Sequence, residues 1–339
     1  MNSPVYKTAI IGFGNIGYSL SNDKKRKLIW SHFEAYNKIK KTKLIAIVEI
    51  DKKKRNIIKK KYPNLLLFKN IDELLISNTK IDIFSICTPT KTHFTILKKL
   101  ISQNPKLIIC EKPICSNIKE GRLILKKLKK SKNQNLILVN HQRRYEKNFI
   151  LSKELLKKKI IGKIRSVNGY YSKKIYNIGT HLFDCIRMLI DSEPKLISSF
   201  FLDKNNIDPT LIGIIKFDNG IDCTINATGK KYNYIFELDI VGTKGRLKIL
   251  ENGKKIKLYK YLKSKNFSNY YELKKIDFKN ILKKKFFLSN DPMKNLFENG
   301  IRSFEKKIKL YPSAFDGYQN LLIADTMVKS AKLRKIIKV

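Results

Sequence analysis

The sequence predicts a two-domain α/β protein: a doubly wound parallel sheet first, then an α/β domain with an open, mainly antiparallel sheet. Three observations predict it. An apolar run, Ala9–Ile11, leads directly into glycines at 12, 14 and 17. Short apolar runs then alternate with helical patterns up to about residue 145, the signature of βαβ units. From residue 146 strand-like runs follow one another instead, separated by turn signals such as Asp218-Asn219-Gly220. A length of 339 residues also exceeds the usual size of a single core. The expected division is 1–145, 146–312 and a closing helix within 313–339.

The first strand ends in Gly12-Phe13-Gly14-Asn15-Ile16-Gly17, a G-x-G-x-x-G pattern. Its first glycine permits a tight turn and its second lets a pyrophosphate approach bare backbone. Its third lets the following helix pack on the strand. A helix N-terminus there would hold the phosphates on its unpaired N–H groups. This is a Rossmann dinucleotide-binding signature, and its position after a strand near the N-terminus strengthens it over a plain glycine-rich turn.

The helix that should follow is interrupted at Ser21-Asn22-Asp23 and Lys24–Lys27, and its pattern resumes over 31–39. Leu44–Val48 reads as the second strand, ending in Glu49. An acid there accepts both hydroxyls of the adenosine ribose and repels a 2′-phosphate. The 32 residues between Gly17 and Glu49 exceed the usual spacing of about 20, which an insertion around 21–30 explains. Asp51 competes for the same role. Lys52, Lys53 and Lys54 would tolerate a 2′-phosphate, so the expected cofactor is NAD with NADP left open.

Further strands are expected at 65–68, 81–86, 106–110 and 136–139, with helices at 71–77 and 94–101. Ser116 is read as the cap of another helix. Ligands in such sheets lie beyond the strand C-termini. Glu49, Thr88, Lys112 and His141 fall at those ends. In the second half, strands are expected at 166–171, 196–202, 210–217, 222–227 and 234–241, with a helix at 179–190 set among them. Residues 251–290 read as edge strands and a long loop. Ser313 and Asp316 form an S-x-x-D capping box for a final helix whose apolar side carries Phe315, Leu322 and Val328.

Lys+Arg 72 against Asp+Glu 28 gives a net charge of +44. The basic residues are spread along the chain, which fits solvated lysine faces better than a nucleic-acid arm. Lys, Asn, Ile and Tyr, which have A/T-rich codons, are all abundant. No nucleic-acid motif accompanies the charge, and no specific nucleic-acid or membrane partner is expected. Five scattered cysteines without a C-x-x-C pair, and no signal-peptide pattern, fit a reduced cytoplasm. No metal site is expected.

GFGNIG, CTPTKTH, ICEKPICSN, NHQRRY, NIGTHLFD and VGTKGRL occur in that order. The set resembles the glucose–fructose oxidoreductase / inositol dehydrogenase / MocA (Gfo/Idh/MocA) family across nearly the whole chain. The resemblance implies an NAD(P)-dependent oxidoreductase acting on CH–OH groups, assembled as a homodimer or homotetramer through the C-terminal sheet. It implies a cofactor cradle of Gly12, Phe13, Gly14, Asn15, Ile16 and Gly17, with Glu49 on the ribose. Cys87, Thr88, Pro89, His93, Glu111 and Lys112 would line the nicotinamide half. Lys112 and His181 would be catalytic, because moving a hydride from a carbinol carbon requires the hydroxyl proton to leave. A lysine desolvated beside a positive ring gives up its proton more readily, and histidine is poised near neutral pH. Pro113 is expected to follow a cis peptide bond that fixes the direction of Lys112.

Many members carry an aspartate four residues before that histidine; here the position is Asn177. Asparagine can orient a substrate but cannot take a proton. Arg143, Arg144 and Tyr145 would complete substrate binding, since paired guanidiniums suit a diphosphate or carboxylate; an inter-domain salt bridge is the alternative for them. With Asn140-His141-Gln142 and Gly169-Tyr170-Tyr171, the pattern is similar to members of surface-polysaccharide pathways. It points to a sugar or nucleotide-sugar substrate. A catalytically silent dinucleotide- or sugar-binding protein on the same fold is the alternative, and Asn177 is the only sign toward it.

Overall fold

The computed structural model describes residues 4–133, 136–172, 174–204, 207–228, 233–277 and 289–339. The chain packs as two compact units. One comprises Met1–Gln142 with Ser289–Tyr318, the other Arg143–Leu288 with Gln319–Val339. The sequence reading kept 146–312 together and gave the last helix to 313–339. The packing instead returns 289–318 to the first unit.

The first unit contains strands β1 (Tyr6–Ile11), β2 (Thr42–Val48), β3 (Leu66–Phe68), β4 (Ile83–Ile86), β5 (Leu107–Cys110) and β6 (Ile137–Val139). Between them run helices α1 (His32–Lys38), α2 (Lys52–Lys61), α3 (Ile71–Ile76), α4 (His93–Gln103) and α5 (Ile118–Lys129). All six strands are parallel, in the order β3-β2-β1-β4-β5-β6. This is the doubly wound order whose reversal, between β1 and β4, opens a ligand crevice at the strand C-termini. β4, β5 and β6 are buried along their whole length, which explains their unbroken apolar sequence. α5 is capped by Asn117, whose side chain accepts from the Glu120 N–H, rather than by Ser116. The Ser116 N–H binds the Glu120 carboxylate instead, completing the box one residue on.

In the second unit α6 (Lys147–Lys157) precedes β7 (Ile164–Ser172). A π-helical turn, Ile175–Gly179, runs straight into α7 (Thr180–Ile190). Then come β8 (Pro194–Asp203), β9 (Thr210–Phe217), β10 (Asp222–Thr228), β11 (Phe236–Gly242), β12 (Gly245–Leu250), β13 (Lys255–Lys263) and β14 (Tyr271–Ile276). The chain continues through α8 (Pro292–Glu305), α9 (Ala314–Leu333) and β15 (Ile337–Lys338). The second sheet has nine strands in the order β14-β13-β12-β11-β7-β10-β9-β8-β15. Every pair is antiparallel except β7 with β10. α7 lies against this sheet, close enough that a side-chain carbon at Gly169 would meet Leu182 at 3.0 Å.

In the lysine-rich stretch β14 forms an edge of the sheet and β13 lies next to it, while residues 278–288 lie outside the described residues. α8 has no counterpart in the sequence reading. It packs on the first unit, where Gly300 faces Leu107 and Leu138. The Ser313–Asp316 box caps α9 as expected. The buried side of α9 differs from the expected one: Leu321, Ala324, Met327 and Ala331 are buried, and Phe315 is 46% exposed.

Candidate active site

The glycine loop follows directly from β1. Gly12 sits at φ +90° and bonds the Val48 carbonyl. A side-chain carbon there would lie 2.9 Å from the Thr88 backbone nitrogen, so only glycine fits. At Gly17 it would lie 2.3 Å from the Gly12 carbonyl oxygen. At Gly14 it would meet nothing within 4 Å. Two glycines are thus needed for the turn and its packing, and the middle one leaves open space. That space is what a dinucleotide pyrophosphate requires. A cavity of about 470 Å³ opens beside Gly14, lined also by Asn15, Ser19, Lys54 and Lys61, whose two ammonium groups suit phosphates.

The long spacing to Glu49 has a structural explanation. The His32 and Phe33 N–H groups bond the carbonyls of Ile16 and Gly17, at 3.0 Å each. Those partners are sixteen residues apart in sequence where an α-helix has four, so twelve residues leave the helical path between Gly17 and His32. Without them, Gly17 and Glu49 would be 20 residues apart, as the fingerprint expects (about 20). The excursion begins at Tyr18, earlier than the sequence suggested, and contains a 3₁₀ turn over Ser19–Asn22.

Glu49 closes the loop. Its Oε2 accepts the Phe13 N–H at 3.0 Å and its Oε1 the Asp51 N–H at 3.0 Å. Asp51 is occupied elsewhere, capping α2 by accepting from the Lys53 and Lys54 N–H groups at 2.8 and 3.1 Å. The Lys54 N–H bond is the largest influence holding its carboxyl below the usual range. Of the two candidate acids, Glu49 is therefore the one on the glycine loop.

After β4, the Cys87 N–H bonds the Ile11 carbonyl and Thr88 lies against Gly12. Pro89 precedes a 3₁₀ turn over Thr90–Thr92, and the Thr92 hydroxyl donates to that of Thr88. His93, the other residue expected here, turns both ring nitrogens inward. Its ring is buried, and Nε2 and Nδ1 face the carbonyls of Thr88 and Pro113 at 2.8 and 2.9 Å. Burial pushes its pKa down, outweighing the pull of both carbonyls and of Glu111. A neutral imidazole donates only one N–H, so it bonds one of these two carbonyls at a time, and both of its nitrogens face the protein between the Thr88 loop and the Lys112-Pro113 turn. The Lys112–Pro113 peptide bond is cis.

Glu111 and Lys112 leave the end of β5. Glu111 is buried, and its Oε1 accepts from His32 Nε2 at 2.9 Å and from Asn140 Nδ2 at 2.5 Å. His32 Nδ1 faces the Ser85 hydroxyl at 2.8 Å, which in turn bonds the Tyr36 hydroxyl at 2.5 Å. Sequence reasoning missed His32, Ser85 and Tyr36. The excursion hides His32, which without it would stand three residues past Gly17. Glu111–His32–Ser85 has the distances of an acid–base–nucleophile set, but Ser85 is 0% exposed and covered by Tyr36, so no substrate carbonyl reaches it.

The second unit carries the other predicted residues. Asn177 lies in the π-helical turn, exposed, and His181, half-buried, stands four residues on in the first turn of α7. That spacing places them on neighbouring positions of one helical run. Arg144 is buried, and its Nε and Nη2 donate to the two Asp184 oxygens at 2.6 and 2.8 Å. Asn320 donates to the same carboxylate at 2.8 Å. Arg143 bonds Glu146 at 3.0 Å, donates to the Tyr234 hydroxyl and lies over the Phe236 ring. Both guanidiniums, expected to bind substrate or bridge domains, are thus engaged by acids within their own unit. Tyr145 ends the 3₁₀ turn that carries them.

Among the described residues no three His, Cys, Asp or Glu side chains form a metal site, and no helix is long and apolar enough to cross a membrane.

Residues 6–141 match the model of an oxidoreductase family with an NAD-binding Rossmann fold, GFO/IDH/MocA, and residues 149–248 match the GFO/IDH/MocA C-terminal domain. An uncharacterized oxidoreductase of Schizosaccharomyces pombe is 24% identical over 200 residues, 53% of this chain and about half (51%) of its own length. Inositol 2-dehydrogenase of Rhizobium meliloti is 24% identical over 284 residues, 76% of this chain and 81% of that protein. The structure of levoglucosan dehydrogenase in complex with NADH and L-sorbose superposes with a TM-score of 0.77 at 18% identity, covering 99% of both chains.

Proposed function

The chain belongs to the GFO/IDH/MocA oxidoreductase family, with its NAD-binding Rossmann domain, and on that premise we propose that it transfers a hydride between nicotinamide and a secondary hydroxyl or carbonyl carbon of a sugar or nucleotide sugar. The observation that carries this reading is the gathering of the open Gly14, Glu49, Thr88 and the Glu111-Lys112 pair at the C-terminal ends of β1, β2, β4 and β5. Inositol 2-dehydrogenase and the sorbose-bound levoglucosan dehydrogenase among the similar proteins support a polyol or sugar.

When bound, the nicotinamide supplies the hydride acceptor or donor. The chain's residues do the rest. The backbone from Gly12 to Gly17 holds the pyrophosphate, and Glu49 accepts the ribose hydroxyls and disfavours a 2′-phosphate. Thr88 and Pro89 shape the nicotinamide half, with Cys87 behind them. Lys112 takes the hydroxyl proton as the hydride leaves, and returns it in the reverse direction. The family resemblance adds a proton-handling role for His181, and Asn177 orients the substrate without titrating. Tyr145 contributes to the substrate side, while Arg143 and Arg144, held by Glu146 and Asp184, brace their own unit. The protein acts in the cytoplasm as a homodimer or homotetramer formed through the nine-stranded sheet. A place in surface-polysaccharide synthesis follows if the substrate is nucleotide-linked.

The test is a panel of polyols, aldoses and nucleotide sugars offered with NAD, read by nicotinamide absorbance, for wild type and Lys112→Met. Turnover that falls by about 10²–10⁴-fold in the variant supports the reading. Full turnover in Lys112→Met removes the lysine from the chemistry.

A further inference from the structure

Beneath the end of β5 a row of buried polar groups, which the proton transfer above does not use, runs from Asn140 through Glu111, His32 and Ser85 to Tyr36. For a His32 ring that carries one N–H, each link has a defined direction. A carboxylate only accepts, so His32 Nε2 donates to Glu111 and its Nδ1 is left to accept from the Ser85 hydroxyl. Ser85 in turn accepts from Tyr36. His32 and Ser85 are 0% exposed and Tyr36 1%, so water replaces none of these bonds. From the other side Asn140 donates its amide N–H to the same Glu111 oxygen, while its own Oδ1 is buried with no hydrogen-bond partner among the described residues. Turning the amide over would aim that oxygen at the carboxylate. The arrangement therefore commits two donors to Glu111 even at the cost of an unpaired carbonyl. Donors aimed at one oxygen stabilise an anion.

We propose that His32, a positioning residue, and Asn140 hold Glu111 as a fixed buried anion that favours the oxidised, positively charged nicotinamide over the reduced, uncharged ring. The proposal rests on the reading of Glu111 as part of the nicotinamide half. Burial alone pushes a carboxyl toward its neutral form; here the hydrogen bonds from His32 and Asn140, with the Lys112 charge beside them, outweigh it and hold Glu111 below the usual range. The two nicotinamide states differ by one charge on the ring, and a carboxylate in a poorly screened site discriminates between them. Lys112, two residues beyond β5, lies next to the same anion in sequence, so a neutral Glu111 would alter both the ring preference and the lysine.

The experiment measures NADH affinity by nicotinamide fluorescence and NAD⁺ affinity by displacement of NADH. It compares wild type, Glu111→Gln, His32→Leu and His32→Gln. Glu111→Gln keeps the shape and removes the charge. The NAD⁺ dissociation constant should rise about tenfold relative to that of NADH in Glu111→Gln and in His32→Leu. His32→Gln, whose amide offers one donor and one acceptor, should restore the wild-type ratio. If His32→Leu does not fold, Glu111→Gln alone decides. An unmoved ratio, or equal weakening of both dinucleotides, overturns the proposal, because a structural role weakens both alike. A wild type that binds neither dinucleotide overturns the oxidoreductase reading as well; one that binds both with a ratio indifferent to Glu111→Gln overturns this inference alone.

Discussion

Arg144 and Asp184, forty residues apart, form a two-point ion pair inside the second unit, Nε to Oδ2 at 2.6 Å and Nη2 to Oδ1 at 2.8 Å. Asp184 is 0% exposed and also receives Asn320 from α9. The pair joins the 3₁₀ turn that opens this unit to α7, the helix bearing His181. Removing one partner of a buried pair leaves an uncompensated charge, which costs about 3–5 kcal/mol. Asp184→Asn should lower unfolding stability by that amount in urea denaturation. A loss under 1 kcal/mol would mean that the pair is solvated.

The three glycines of the loop should respond differently to alanine. Gly17→Ala would drive a carbon to 2.3 Å from a backbone oxygen, so the loop must move and the protein should lose stability. Gly14→Ala meets open space and should melt within a few degrees of wild type. Its added methyl would occupy the space assigned to pyrophosphate, and NADH binding should weaken at least tenfold. Thermal melts and NADH titrations of both variants separate the two effects.

His93 gives the stability a pH dependence. Its folded pKa lies below the unfolded value of about 6.5. The unfolded chain therefore binds the proton first as pH falls. This contribution to stability is complete above about pH 6.5 and declines below it, toward the lowered folded pKa. The drop in melting temperature between pH 7.5 and pH 5.5 should shrink in His93→Gln. An identical drop in both proteins would mean that His93 is not the group responsible.

Asn177→Asp restores a carboxylate to the turn before His181. If Asn177 only orients the substrate, turnover in the variant should stay within about tenfold of wild type, with the change falling mainly on KM. Total loss of kcat would contradict the orienting role.

Local rules made much of the first unit legible. Apolar runs bounded by turns marked β1, β2, β4 and β5, and three glycines marked the switch point between β1 and β4. The acid at Glu49 was legible once an insertion was allowed for. Long-range partners were not. Nothing in the sequence near Arg144 announces Asp184 or Asn320, so an arginine held by a buried acid reads as one free to bind ligand. His93 reads as a ligand residue until both of its nitrogens are seen to face carbonyls. His32 was hidden because periodicity is counted along the chain, whereas the helix resumes across a twelve-residue excursion. α9 misled for another reason. Its buried side includes Asp316, Asn320, Thr326 and Ser330, so apolar residues alone do not mark it.

On this reading the first unit holds NAD with Glu49 on the ribose. The most direct measurement is a fluorescence titration of wild type and Glu49→Ala with NADH and with NADPH. Hydrogen bonds to a charged acceptor contribute about 1.5–3 kcal/mol, so NADH binding should weaken about 10–100-fold in the variant. NADPH should bind the wild type poorly and gain on NADH once the carboxylate is gone. Tight NADPH binding by the wild type, with NADH affinity unmoved by Glu49→Ala, would contradict the assignment of Glu49. No binding of either dinucleotide by folded protein would contradict the account as a whole.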